Sequence, residues 1–225
     1  MRAGADRKEL IDIYALYYSE IRYVDEHIGH LIDRARQEGE TIVVFTADHG
    51  ESFGEVERKF HRQMPYWNVA NVPLVIDSPD ISPTRIIFPV SHIDLPSTVL
   101  RRAGLKIPNH FGDTDILSDA SDSEPIFIEY LNESGAKSQL GYGCVSDGWK
   151  YIQKAETGED ELYELKKPPG EGANVVNNYP DTVTEFRELV EDHHKIRSEG
   201  LGETNHEHVS SSFKRNLHEL GYLDR

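Results

Sequence analysis

The sequence contains one cysteine, Cys144, among 225 residues. A single cysteine excludes an internal disulfide framework and any metal site built from a cysteine cluster. No apolar run reaches the roughly 18 residues of a membrane-spanning helix, and residues 1–10 lack the hydrophobic region of a signal peptide. As it stands, the sequence predicts a cytoplasmic protein with no membrane association, although an upstream segment carrying an export signal would change the location.

Positive charge is also scarce, with 24 Lys and Arg against 40 Asp and Glu, for a formal net charge of -16. Such a surface repels phosphate groups, which argues against nucleic-acid and anionic-membrane partners. The acidic residues are spread along the chain rather than gathered in one tail. This distribution is compatible with a halophilic source and equally with an ordinary acidic protein.

The first half of the sequence alternates helical and strand-like patterns. Apolar residues from Tyr14 to Ala35 recur at three- and four-residue steps, which predicts a helix ending near Gly39. Two apolar runs, 41–46 and 72–76, predict strands buried on both faces, as in a parallel sheet. A second helix is predicted over 94–103, and the order indicates an α/β architecture.

After Gly112 the pattern changes to short alternating strands separated by turns. Strands are predicted at 126–130, 143–145, 149–152 and 161–165, with hairpin turns at Asp147-Gly148 and Thr157-Gly158. A helix is predicted over 182–196. The predicted division is therefore an α/β region over 1–115, a small antiparallel β subdomain with a helix over 116–197, and a polar tail over 198–225.

Asp48 and His49 directly follow the first predicted strand. In open α/β sheets, ligands gather at the carboxyl ends of strands, and Gly50 allows the chain to turn there. A carboxylate and an imidazole at that edge predict two ligands for one cation. The alternative is an Asp-His-Gly turn that only satisfies its own backbone.

A basic cluster, Lys59, His61 and Arg62, follows about ten residues later in a strongly acidic chain. Beside a metal edge, these side chains would suit an anionic ester, sulfate or phosphate. The alternative is a solvated loop without a ligand.

Five segments of the sequence follow one another in a recognisable order. They are Tyr23–Gly29, Thr41–Glu51, Tyr66 with Val72–Ile76, Val90–Thr98, and Glu161–Leu165 followed by Glu171 and Asn174. In this order they resemble the C-terminal part of sulfatases, which are members of the alkaline phosphatase superfamily. Each segment alone is weakly specific, but together they cover most of the chain from Lys8 to Ile196.

The resemblance implies a partial αβα sandwich of the alkaline phosphatase and sulfatase type, followed by a small antiparallel C-terminal subdomain. It implies that Asp48 and His49 bind the active-site divalent cation, usually Ca²⁺. An imidazole also suits Mn²⁺ or Zn²⁺. His61 matches the residue that contacts the sulfate and protonates the leaving oxygen, Lys59 is a second catalytic candidate, and Arg62 is a candidate for substrate binding.

The family's nucleophile is a Cys or Ser converted to formylglycine within a Cys/Ser-x-Pro-x-Arg motif, and these 225 residues contain no such motif. The family's N-terminal Asp-Asp metal pair is also absent. The expected function is hydrolysis of sulfate esters in a complete enzyme, with this chain an inactive C-terminal fragment whose partner is the missing N-terminal half.

Two alternatives stay open. One is a metal-dependent phosphodiesterase or phosphonate hydrolase of the same superfamily. The other is a non-catalytic remnant that binds a partner chain.

Overall fold

The structure, a computed structural model, describes residues 7–53, 65–118, 124–132, 139–154, 157–165 and 171–200. Two compact units divide the chain, Met1–Phe186 and Arg187–Arg225. The catalytic and substrate-binding candidates Lys59, His61 and Arg62, and the end of the predicted tail from 201 onward, lie outside the described residues. The domain boundaries predicted above therefore stay predictions.

The first part of the chain combines a long helix with two short strands. Helix α1 spans Arg7–Glu38 and ends beside Gly39, as the apolar spacing predicted. Strand β1, Val43–Thr46, and strand β2, Leu74–Asp77, form a two-stranded sheet. Helix α2, Trp67–Ala70, lies between them in sequence. A 3-10 turn at His92–Asp94 leads into helix α3, Leu95–Arg102.

The predicted parallel arrangement is wrong for β1 and β2, which pair antiparallel with Val43 opposite Asp77 and Thr46 opposite Leu74. The prediction of burial on both faces is also wrong, because Phe45 is 39% exposed and Val75 is 58% exposed. A continuous apolar run shows that a strand tolerates burial. It says nothing about the direction of the neighbouring strand or about what covers the sheet.

The second part is a four-stranded antiparallel sheet in the order β3–β4–β5–β6. The strands span Ile126–Asn132, Gln139–Ser146, Trp149–Gln153 and Asp160–Glu164. Asp147 and Gly148 both have positive φ, at 48° and 75°, which makes the predicted tight hairpin turn between β4 and β5. The predicted antiparallel subdomain is therefore present.

The buried core lies on this second sheet. Cys144, Tyr151, Ile152 and Leu162 are all 0% exposed, so the single cysteine of the sequence packs as a small apolar side chain. Helix α4, Pro180–Gly200, stacks Phe186 on Tyr151 with ring centroids 5.9 Å apart. The helix extends four residues beyond the predicted end at Ile196, so residues 198–200 are helical rather than part of the polar tail.

Within the described ranges, none of the helices combines the length and the apolar character needed to span a bilayer.

Candidate functional site

Asp48 and His49 lie where β1 ends, as the sequence predicted. The chain turns here because the backbone N–H of His49 donates to Oδ1 of Asp48 over 2.9 Å. Gly50 then runs so close to α2 that a Cβ at this position would lie 3.0 Å from the carbonyl carbon of Asn68 and closer still to its oxygen. Only glycine fits this close approach. The turn places the side chains of Asp48 and His49 at the same edge, where β1 ends.

The ring of His49 is oriented by its own backbone. Its Nδ1 lies 2.8 Å from the carbonyl oxygen of Gly50. A carbonyl oxygen only accepts, so the neutral ring is assigned its proton on Nδ1 and its lone pair on Nε2. Nε2 in turn lies 3.9 Å from Oδ2 of Asp48. This tautomer is the one that a metal ligand needs at Nε2.

The spacing of Asp48 Oδ2 and His49 Nε2 is compatible with two ligands of one divalent cation. Ligand atoms sit about 2.0–2.6 Å from such a cation, so two ligands of one ion lie at most about 4–5 Å apart. The 3.9 Å between the two donors is within that limit, and the Asp48 side chain is 75% exposed. Over the described part of the chain, no group of three or more His, Cys, Asp or Glu side chains is arranged to hold a metal. Asp48 and His49 are therefore two candidate ligands, fewer than a divalent cation needs.

A cleft of about 1080 Å³ opens beside these two residues. The structure brings polar groups to it that the sequence analysis did not select, namely Glu51, Arg85, His92, Glu129 and Lys150. His92 joins the edge directly, because its Nε2 lies 3.0 Å from the hydroxyl of Thr46, the last residue of β1. Part of the wall is apolar, with Phe88 and Phe127 among its residues. The cleft thus offers both signs of charge and an apolar surface.

Lys150 is the most unusual of these groups, because its side chain is only 1% exposed. Burial lowers the pKa of Lys150, and the Glu171 carboxylate, 2.6 Å away, opposes that shift. The sequence carried one signal for this pair, a lysine inside an otherwise apolar strand. A lysine almost never lies in a core unless an acidic group pairs with it. The partner, 21 residues further along, could not be identified from sequence spacing.

The fold defines the class of protein, an α/β protein of the alkaline phosphatase and sulfatase type. Among solved structures, the phosphonate monoester hydrolase of Silicibacter pomeroyi superposes with a TM-score of 0.61. That superposition covers 84% of this chain and 42% of the hydrolase, at 22% sequence identity. At this identity the likeness concerns the fold.

Sequence comparisons show which proteins the chain is similar to. The sulfatase family model matches residues 2–105, and over that region the chain is similar to sulfatases. A choline-sulfatase of Rhizobium meliloti (strain 1021) is 30% identical over 188 residues, covering 77% of this chain and 36% of the enzyme. Arylsulfatase K of Xenopus laevis is 31% identical over 196 residues, covering 80% of this chain and 36% of the enzyme.

These matches confirm the predicted resemblance to sulfatases. The chain spans about a third of the length of the curated relatives it matches. Sulfatases generally use a divalent metal, and the partial fit of Asp48 and His49 agrees with that general property.

Proposed function

We propose that this chain contributes the Asp48–His49 side of an active site that hydrolyses sulfate esters. The observation that carries the proposal is the pairing of a carboxylate and a suitably oriented imidazole, 3.9 Å apart, on the cleft of a sulfatase-related chain. Ca²⁺ is the first candidate for the cation, and Mn²⁺ and Zn²⁺ are the alternatives because one donor is an imidazole nitrogen.

In this mechanism Asp48 would supply a carboxylate oxygen and His49 would supply Nε2 to hold the cation. A cation held there would supply positive charge to the oxygen atoms of the ester. The hydrogen bond between His92 and Thr46, over 3.0 Å, fixes the end of β1 from which both ligands extend. We assign protonation of the leaving oxygen to His61, with Lys59 as a second catalytic candidate, and binding of the anionic group to Arg62. The roles of His61 and Lys59 derive from the family resemblance, and that of Arg62 derives from the basic cluster in which it lies.

The test is binding of Mn²⁺ and Ca²⁺ to the purified chain, measured by electron paramagnetic resonance for Mn²⁺ and by competition for Ca²⁺. We expect Asp48→Asn and His49→Ala each to weaken binding at least about tenfold, because the first removes the negative charge of one ligand and the second removes the other ligand. Asp33→Asn, which removes an exposed carboxylate from α1, is the matched control and should leave binding unchanged. Equal affinity of the Asp48→Asn and wild-type proteins would overturn the proposal.

A second candidate is hydrolysis of phosphonate or phosphodiester substrates. The imidazole at position 49 favours it, because His suits the softer cations such as Mn²⁺ and Zn²⁺. Binding of inorganic sulfate and of methylphosphonate to the Mn²⁺-loaded protein separates the two candidates. Tighter binding of sulfate supports the first, and tighter binding of methylphosphonate supports the second.

A further inference from the structure

The segment over 65–70 lies against the Asp48–His49 edge. The N–H of Gly50 donates to the carbonyl oxygen of Val69 over 2.7 Å. Because Gly50 also approaches the backbone of Asn68 too closely for any side chain, a small movement of this segment must move Gly50 with it. The position of the 65–70 segment therefore sets the position of the turn that carries both predicted metal ligands.

The 65–70 segment also contacts Glu171, which is paired with Lys150 of strand β5. Glu171 makes two short contacts, an ion pair with Lys150 at 2.6 Å and a hydrogen bond from the Trp67 N–H at 2.6 Å. The side chains of Lys150 and Glu171 are 1% and 8% exposed. Pro65 also packs on β4 at Gly143, where a Cβ would lie 3.1 Å from the ring.

A second buried acid completes this attachment. The Tyr66 hydroxyl donates to Oε2 of Glu161 over 2.8 Å, and the Tyr163 hydroxyl donates to the same oxygen over 2.9 Å. Lys154 pairs with the other oxygen of Glu161 at 2.7 Å. Burial raises the pKa of Tyr163, and the Glu161 charge raises it further, so this hydroxyl stays protonated and remains a donor.

We propose that Lys150 and Glu171 are positioning residues for the Asp48–His49 edge. The pair fixes the backbone N–H of Trp67 through the hydrogen bond to Glu171. The hydrogen bond from Gly50 to Val69 then fixes Gly50 relative to the 65–70 segment. The proposal rests on the proposed function in one respect, that the edge binds a cation. It gives the second sheet, which lies beyond the region matched by the sulfatase family model, control over cation affinity.

The energetics of buried ion pairs support a role in positioning. Removing two charges from water costs several kcal/mol per ion, and well-packed apolar residues of similar volume often stabilise a fold equally well. An apolar pair, however, could not accept the hydrogen bond of Trp67. The pair therefore provides what apolar packing cannot, a fixed acceptor for one backbone N–H of the 65–70 segment.

The experiment uses Lys150→Met/Glu171→Met, which replaces the pair by apolar side chains, and Glu171→Gln, which keeps an oxygen for Trp67. Lys195→Met is the matched control, since it makes the same change in an exposed pair, Lys195–Asp192 at 3.0 Å. Hydrogen exchange of the peptide containing Gly50 reports positioning without any cation. Mn²⁺ affinity reports the consequence for the site.

We expect the double variant to keep its far-ultraviolet circular dichroism, to exchange faster at Gly50, and to bind Mn²⁺ about tenfold more weakly. Glu171→Gln should fall between the double variant and the wild type, and Lys195→Met should match the wild type. A folded double variant with unchanged exchange at Gly50 would overturn the proposal. If neither Glu171 variant folds, the pair is a folding determinant and the positioning role is likewise refuted.

Absence of Mn²⁺ binding in the wild type would count against the proposed function alone, because exchange at Gly50 would still decide the positioning role.

Discussion

The two sheets of this protein differ in a way that their sequences do not suggest. Strand β1 is entirely apolar except for Thr46, and yet Phe45 is 39% exposed. Strand β5 contains a lysine, and yet the Lys150 side chain is 1% exposed. Four apolar side chains of α1, Tyr17, Ile21, Val24 and Leu31, are 38–69% exposed. The comparison teaches that burial depends on which elements pack on a strand, and only secondarily on its apolar content.

The largest expected effect is on the free energy of unfolding when the buried ion pair Lys150–Glu171 is broken. The exposed pair Arg36–Asp77 serves as the comparison. Lys150→Met leaves Glu171 buried and unpaired, and such a change destabilises a fold by about 3–5 kcal/mol. Arg36→Met removes the pair with Asp77, whose side chains are 54% and 55% exposed, and should cost under about 1 kcal/mol. Urea unfolding followed by circular dichroism measures both. Similar losses of stability for the two variants would contradict the expectation that breaking the buried pair costs more than breaking the exposed pair.

Truncation of apolar side chains gives the next effect. Ile152 is 0% exposed, so Ile152→Ala should lower the free energy of unfolding by about 2–5 kcal/mol through lost burial and a cavity. Val75 is 58% exposed, so Val75→Ala should change it by less than about 0.5 kcal/mol. The same urea titration compares the two. A large loss for Val75→Ala would show that the first sheet is covered in solution.

Cys144 provides a pH-dependent probe of the second sheet. Burial raises the pKa of its thiol from 9.0 to about 12. Above pH 9 the unfolded chain releases a proton that the folded chain keeps, so stability present below pH 9 is lost by about 1.4 kcal/mol per pH unit up to pH 12. Urea unfolding of the wild type and of Cys144→Ala between pH 8.5 and 10.5 isolates the contribution of the Cys144 thiol to the pH dependence of stability. Parallel pH profiles for the two proteins would refute that contribution.

The smallest difference between the two regions is expected at glycines with positive φ. Gly104 follows α3 with φ 67°, and Gly148 lies in the β4–β5 turn with φ 75°. An alanine in this conformation costs about 1–2 kcal/mol whatever surrounds it. Gly104→Ala and Gly148→Ala should therefore show similar shifts in urea midpoint. A much larger loss for Gly148→Ala would mean that the turn also governs packing of the second sheet.

Much of the local structure was predictable because it depends on neighbours in sequence. The end of α1 at Gly39, the turn at Asp147-Gly148 and the four C-terminal strands follow from periodicity and turn chemistry. The position of Asp48 and His49 at the end of β1 follows from the same reasoning, since a strand end is a local feature. Their role as metal ligands stays a prediction.

Long-range pairings were not predictable in this way. The antiparallel direction of β1 and β2 and the link from His92 to Thr46 each join residues that are distant in the sequence. The burial of Asp115 beside Arg102, with the Asp115 side chain 1% exposed, is another example. Hydrogen bonds from Leu117 and Ser118, together with Arg102, hold the pKa of Asp115 below its usual range although burial opposes this.

By itself the sequence determined helices α1, α3 and α4, the strands, the turn that presents Asp48 and His49, and the resemblance to sulfatases. Each of these depends on residue types within a short window or on the order of such windows. Only the tertiary structure decided which strands are covered, and that Lys150 and Glu171 meet beneath Trp67. Those outcomes depend on contacts between segments that are distant in the sequence. Local patterns are compatible with several arrangements of these segments, and packing and the cost of burying charge determine which one is stable.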